Sequence, residues 1–463
     1  MKIMLKNLGP IRQAELTLGD LTIICGNNNS GKTYATYALF GFLDTWREHL
    51  NVEIEKNTID TLLRDGVVHI DLNKYDKKAV SILKKGCKSF SKSLSDVFSS
   101  SPEHFKETQF QASLTKRETL PAASYERIMR VRASNSEVFS LYKADNSMEL
   151  IVTLLVEKDE VKFPNQMIRR VIADSMNEII FSHYLPNPFI SSAERTGAAI
   201  FRKELNFARN RLLDEMSHAD KKFDPMDLLF KVYQDYALPV ERNVDFARQL
   251  EKVAKETSFI AEEHPELLDD LTDIIGGEYS VTRNDELYFK PKGKRIKLTM
   301  DESSSAVRSL LDIGFYLRHV VKPGDLLMVD EPELNLHPEN QRRIARLFAR
   351  LINLGIKVFI TTHSDYIIKE LNTLIMLNQK KPHLQEIIKE EGYNTDELIS
   401  VDRIKVYIAE EALILQEGKQ RRTRCQTLTD VKIDREQGIE ARSFDATIDA
   451  MNKIQEAIIW GGD

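Results

Sequence analysis

Cysteine is scarce in this 463-residue chain: Cys25, Cys87 and Cys425 lie far apart, with no Cys-x-x-Cys spacing. That argues against a disulfide framework or a cysteine zinc site and leaves three packed thiols. Long apolar runs are also missing. Leu150 to Val156 and Leu326 to Val329 are among the most apolar stretches, far short of the roughly 18 residues that suggest a membrane span. Met1 to Lys6 show no apolar region with a small-residue cleavage site, so no signal peptide is read and a cytoplasmic protein without membrane contact is expected. A basic excess is absent too: 65 Lys and Arg against 71 Asp and Glu give a net charge of −6, which disfavours nonspecific nucleic-acid binding by the chain as a whole. With 42% hydrophobic and 29% charged residues, what remains is an ordinary globular composition of about three domain lengths.

The first 43 residues read as three short strands, Met1 to Leu8, Ala14 to Leu18 and Leu21 to Cys25, then a glycine-bounded loop and a helix. Ala35, Ala38, Leu39, Phe42 and Leu43 supply that helix with one apolar face. The last third alternates strand and helix: Leu326 to Asp330, Pro338 to Asn353, Ile356 to Thr361 and Tyr366 to Leu371. Such alternation predicts an α/β fold with a parallel sheet covered on both faces. The intervening length reads as insertions. Residues 44–190 are expected to form an α+β lobe, with helices at Thr58 to Leu63 and Lys77 to Phe98 and a strand at Leu150 to Val156. Residues 197–275 are expected to form a helical hairpin interrupted at Pro239, followed by a β-hairpin around Asn284-Asp285. Residues 401–463 read as an α/β extension, with strands at Ile404 to Ile408 and Thr427 to Ile433 and a helix from Asp445 to Trp460.

Chemistry concentrates at three strand ends. Gly26-Asn27-Asn28-Asn29-Ser30-Gly31-Lys32-Thr33 fits G-x-x-x-x-G-K-[ST]: the glycines let backbone N–H groups wrap phosphates, Lys32 reaches the β- and γ-phosphates of ATP, and Thr33 is placed on Mg²⁺. A chance match in a chain this long has a probability of roughly 1 to 2%. The strand-to-helix context makes chance less tenable still. Leu326 to Val329 deliver Asp330 and Glu331 to the sheet edge, Asp330 to hold Mg²⁺ through water and Glu331 to polarise an attacking water. His363, after the next strand in Thr361-Thr362-His363-Ser364, is positioned to reach the γ-phosphate.

Asp330 to Pro338 (Asp-Glu-Pro-Glu-Leu-Asn-Leu-His-Pro) and Thr-Thr-His-Ser resemble the ABC-type ATPases related to SMC, RecF and the overcoming-lysogenization-defect proteins, a P-loop superfamily with prokaryotic stand-alone members of the anti-phage defence type. The resemblance spans residues 1–43 and about 280–375, with Ser192 to Thr196 resembling a short motif common in those members. It implies an ABC-type head split between 1–43 and 280–400, and two ATPs held between two heads, hence a homodimer or higher oligomer. It also implies a signature motif upstream of Asp330, a place occupied by Ser303, Ser304 and Ser305, with the D-loop at Glu333 to His337 lining the dimer seam. The transporter-type Gly-Gly pair is missing, and which serine meets phosphate stays open. Arg12 resembles a basic residue that approaches nucleotide in related heads, and equally reads as a solvated surface residue. No glutamine is assigned to the Q-loop, and Glu194-Arg195 reads either as a Mg²⁺-side pair or as an interdomain pair.

Family habit suggests an ATP-driven switch for a separate effector, such as a nuclease or toxin, in prokaryotic defence or DNA maintenance. The alternatives are an intrinsic nuclease drawing on Glu410, Glu411, Asp430 and Asp434, or a repair ATPase touching DNA through the basic runs Lys290 to Lys297 and Lys419 to Arg424. An importer subunit is disfavoured because Lys32 and Glu331 are 299 positions apart (331 − 32). A long-armed SMC protein is disfavoured because 197–275 leaves room only for helices of about 30 to 45 Å.

Overall fold

Leu21 to Gly26 and Leu326 to Asp330 are buried at every position, the mark of strands covered on both faces. The structure, a computed structural model, describes residues 1–114, 123–130, 137–156, 164–200, 236–283, 286–379, 381–418, 420–440 and 451–458. The elements that build the site are, in chain order, β1 (Leu21–Gly26), α1 (Lys32–His49), β2 (Pro188–Ser191) and α2 (Arg195–Ile200). They continue with α3 (Ser305–Ser309), α4 (Leu311–His319), β3 (Leu326–Asp330) and α5 (Pro338–Asn353). Last come β4 (Lys357–Thr362), α6 (Asp365–Leu377), β5 (Ile404–Ile414) and β6 (Thr423–Asp430).

The six strands form one mixed sheet in the order β6-β5-β1-β4-β3-β2. All neighbours are parallel except β5 and β6. The chain is therefore an α/β protein with a P-loop leaving a central strand. Register decides where the chemistry lands. Asp330 pairs with Thr361, Thr362 with Cys25, Val329 with Ser191 and Ala409 with Gly26, so the loops that follow four strands open on one edge of the sheet. In open α/β sheets that carboxyl edge is where ligands bind. Ile23, Val329, Ile360 and Val406 belong to one core with Val307, Leu311, Phe348 and Leu371. α5 starts cleanly because His337 caps the amide of Glu339 and Pro338 occupies the first turn, where its missing N–H costs nothing.

The chain divides into two compact units. One comprises Met1–Met4, Phe42–Ser93 and Gln109–Asn187; the other comprises Leu5–Gly41, Leu94–Thr108 and Pro188–Asp463. The first carries a four-stranded antiparallel sheet ordered Val67–Asp71, Glu149–Leu154, Glu137–Lys143, Tyr125–Arg130. Its helices include Lys56–Asp65, Ala79–Lys92 and Asn165–Phe181. Phe42, Phe90 and Phe110 pack edge-on or tilted at its centre, with centroids 4.9–5.4 Å apart. This unit overlaps the expected 44–190 lobe but also takes in Met1–Met4, while Leu94–Thr108 and the residues from Pro188 onward group with the other.

The helical hairpin expected at 197–275 falls in part outside the described residues. Residues 201–235 lie outside the described residues, and the rest carries four short helices, Leu238–Arg248, Leu250–Val253, Phe259–Glu263 and Pro265–Ile275. Pro239 sits in the first turn of the helix Leu238–Arg248, where its missing N–H costs nothing. Leu250, Ile260, Leu271 and Ile274 enter the same core as Val307 and Phe315, so hydrophobic burial makes 238–275 part of the second unit. Gly276, at φ +80°, ends the last of these helices and Gly277–Val281 pairs with Leu287–Pro291, while the turn residues 284–285 lie outside the described residues. The helix expected over 77–98 is broken at Ser93. The 401–463 region adds β5 and β6 to the sheet; β5 runs six residues past the expected Ile408, and β6 starts at Thr423 and stops at Asp430 instead of Ile433. Residues 451–458 are helical, and the remainder of the expected terminal helix is outside the described residues.

Candidate functional site

The P-loop follows from close approach. Gly26 has φ +136°, and a Cβ there would stand 2.5 Å from the carbonyl oxygen of Ala409; Gly31 has φ +95°, and its Cβ would meet Ile11 Cγ1 at 2.7 Å. Side chains at either position are therefore excluded both by conformation and by space. Within the loop Asn29 is left-handed, at φ +60°, and Ser30 Oγ donates to Asn27 O (2.7 Å). Asn27, Asn28 and Asn29 are exposed along its rim. Lys32, only 6% exposed, donates through Nζ to Gly26 O (3.0 Å) and Asn27 O (2.8 Å). Burial lowers its pKa against the opposing pull of Glu331, Asp330 and Glu333.

The β3 strand end meets this loop. Thr33 Oγ1 donates to Asp330 Oδ2 at 3.4 Å, and Thr361 Oγ1 donates to Asp330 Oδ1. Burial pushes the Asp330 carboxyl above its usual range, against its bond from Thr361. Two hard oxygens, Thr33 Oγ1 and Asp330 Oδ2, thus converge beside the phosphate loop, a donor chemistry that fits Mg²⁺. Among the described residues no group of three His, Cys, Asp or Glu converges on a metal position, so a cation here would draw its other ligands from phosphate and water.

Glu331 adopts φ +53°, a left-handed conformation that costs a non-glycine residue energy and clusters at functional positions. Its amide donates to Thr361 O (3.1 Å) and Thr361 Oγ1 (3.2 Å), while its Oε1 lies 3.2 Å from His363 Nε2. That bond holds the Glu331 carboxyl below its usual range despite partial burial. His363 is itself fixed by its backbone N–H donating to Glu333 Oε1 (2.6 Å), whose Oε2 accepts from Thr362 Oγ1 (2.9 Å).

The three serines separate. Ser303 is buried and spends its hydroxyl on Thr299 O (2.7 Å), Ser304 caps α3 by accepting from Val307 N (3.3 Å), and Ser304 and Ser305 are exposed. Arg12 is exposed beside Ile11, the residue packed on Gly31. Sequence reasoning missed other contacts here. Glu194, just beyond β2 on the far side of β3, accepts from Tyr37 Oη (3.0 Å), which lies one helical turn after Thr33; that i, i+4 spacing was the available signal. Gln426 Nε2 supports the loop by donating to Ser30 O (3.0 Å). Arg195 is buried and, among the described residues, donates to backbone carbonyls of its own unit, Asp330 and Glu331 among them.

The acids considered for a nuclease have separate occupations. Glu411 pairs with Arg424 (3.3 Å), Asp434 accepts the amides of Glu436 (2.7 Å) and Gln437 (3.2 Å), and Glu410 and Asp430 lie along β5 and β6. In the basic runs, Lys292 pairs with Asp273 and Lys297 lies 5.8 Å over the Tyr288 ring, while Lys419 is outside the described residues.

Residues 1–368 match the family model described as an AAA ATPase domain. No curated protein matches the chain. Among solved structures, an SMC head bound to the C-winged helix domain of ScpA is 11% identical, covering 93% of this chain and 97% of that one, at a TM-score of 0.33. The SMC head domain from Thermotoga maritima is 10% identical over 93% and 98%, at 0.30. An SMC head with an extended coiled coil bound to the C-terminal domain of ScpA, from Pyrococcus furiosus, is 13% identical over 98% and 98%, at 0.30. Likeness this distant carries no argument.

Proposed function

We propose, from the premise that this chain belongs to the AAA ATPase domain family, that it binds ATP with Mg²⁺ and hydrolyses it as the step of a dimerising switch. The observation that carries the reading is the convergence of Lys32, Thr33, Asp330, Glu331 and His363 at the carboxyl ends of three adjacent parallel strands. Lys32 would exchange its two loop carbonyls for β- and γ-phosphate oxygens. Thr33 and Asp330 would hold Mg²⁺, which when bound draws charge from the phosphates. Glu331, kept ionised by His363, accepts a proton from the attacking water, and His363 stays within reach of the γ-phosphate.

Two copies would close head to head around two ATPs. Support comes from the exposed Ser304 and Ser305 and from the D-loop, where Asn335 and His337 are exposed and Asn335 is left-handed, at φ +61°. Ser304 and Ser305 are then the serines that meet the partner's nucleotide; Ser303 is occupied internally. The client, a nuclease or other effector in prokaryotic defence or DNA maintenance, rests on the family resemblance alone. No helix among the described residues is long and apolar enough to cross a membrane.

Glu331→Gln should retain ATP affinity, lose turnover by about 10²-fold or more and accumulate as an ATP-dependent dimer in sedimentation. A variant whose assembly ignores ATP would sink the head-to-head mechanism while leaving the ATPase assignment to turnover assays.

A further inference from the structure

Arg195 opens α2 immediately beyond β2, with a side chain only 2% exposed. Among the described residues its guanidinium makes four bonds, and all go to main-chain carbonyls. Nε donates to Ser309 O (2.8 Å), Nη1 to Ser192 O (2.9 Å) and Asp330 O (2.6 Å), and Nη2 to Glu331 O (2.7 Å). These acceptors belong to three segments: the end of β2, the last residue of the serine-capped α3, and the two carboxylate-bearing residues at the end of β3. Nearby Asp312 on α4 and Asp330 offset the buried charge. A buried arginine would ordinarily be expected to face a carboxylate directly; this one spends its fork on carbonyls and leaves the Asp330 and Glu331 side chains to Thr33, Thr361 and His363.

Glu331 is the acceptor with a left-handed backbone, at φ +53°. Such a conformation persists only where surrounding contacts over-determine it. Its amide donates to Thr361, and its carbonyl accepts from both the Leu334 amide (3.1 Å) and the Arg195 guanidinium, the one side chain of this set that reaches it from another segment. The same guanidinium grips the C-terminal carbonyl of α3, whose opposite end is capped by Ser304.

We propose that Arg195 is a positioning residue that locks Glu331 into its water-activating geometry and ties that lock to the serine-bearing α3, so that engagement of α3 is felt at the hydrolytic carboxylate. The proposal rests on the ATPase reading above. Only a rigid multi-donor fork bridges three segments at once, so a lysine, with a single donor centre, does not replace it.

The test is steady-state ATPase kinetics and ATP-analogue binding for the full chain, Arg195→Lys, Glu331→Gln and the double variant. Wild-type turnover that is lost in Lys32→Ala establishes the ATPase reading first, so failure there is distinguishable from failure here. Arg195→Lys should lower kcat about 10- to 100-fold, the scale of a misplaced catalytic group, with KM and analogue affinity within about threefold of wild type. In the Glu331→Gln background the same change should cost under about threefold, because the two act as one unit. Equal losses in both backgrounds, or affinity falling in step with kcat, would overturn the proposal. Should Arg195→Lys not fold, hydrogen exchange in Ser304→Ala decides: loosening the α3 cap should speed amide exchange across 328–336, and unchanged exchange there counts against the link.

Discussion

Two charge clusters in the ATPase unit use the same residue types to opposite ends. Along α5, Arg342 and Arg346 clamp the buried Glu370 at 2.7 and 2.5 Å, and Arg350 meets Asp270, Asp396 and Glu266. Every cation there faces a carboxylate, so the network is electrostatically closed and holds elements together. At the carboxyl edge of the sheet, Lys32 and Arg195 instead donate to carbonyls, leaving Asp330, Glu331 and Glu194 to hydroxyls and one histidine. Weakly claimed carboxylates beside a cationic loop can exchange partners for phosphate, metal and water. Closed ion pairs cannot do so without losing stability. The lesson is that partner type, and not charge density, separates a site from a brace.

The largest effect expected from breaking this contrast is at the open cluster. Lys32→Ala should lose ATP binding and turnover by about 10²-fold or more, with little change in melting temperature without nucleotide; normal hydrolysis in that variant would refute the P-loop assignment. The closed cluster should respond in the opposite currency. Glu370→Gln should cost about 1–3 kcal/mol of stability, read by denaturant unfolding, while kcat stays within about twofold.

A smaller effect follows from pH. His363 holds Glu331 below its usual carboxylate range, so the charged form is favoured by folding. That contribution is complete above the unfolded value of about 4.3 and is lost as pH falls through the lower folded value. The melting-temperature gap between wild type and Glu331→Gln should therefore narrow below about pH 4, and a gap that widens with acid would contradict the His363 contact.

The smallest effect concerns thiols. Cys25 sits one residue before the P-loop, near Lys32, yet burial pushes its thiol up to about 12, and Cys87 is pushed to about 11. Proximity to a cation does not activate a thiol that burial dominates. Alkylation of the native protein at pH 8 should label the half-buried Cys425 and spare Cys25 and Cys87, as read by intact mass.

How far the sequence could be read depended on range. β1, β3 and α5 were legible because each is a local pattern: an unbroken apolar run, or a Pro-led stripe with His337 before it. Across 238–275 the apolar spacing indicates helix but says nothing about which core each of the four short helices joins. β5 extends to Ile414 because β6 pairs with it across Thr423–Asp430, a partner invisible from the strand's own residues. Arg195 and Glu194 carried no decisive local signal: a charged pair after a short strand reads alike whether it faces solvent, a metal or main-chain carbonyls.

The amino-acid sequence by itself determined the phosphate loop, the acidic strand end and the following Thr-Thr-His-Ser, because each is set by chemistry within a few consecutive residues. Tertiary structure alone decided that these three lie side by side, since parallel register aligns Ile24, Thr361 and Asp330 across hundreds of positions. It also decided that Ser303 is buried with its hydroxyl spent on Thr299, and that a buried guanidinium binds the main chain at the carboxylate-bearing strand end. Hydrogen-bond partners are chosen by distance in space, and a linear pattern does not contain that distance.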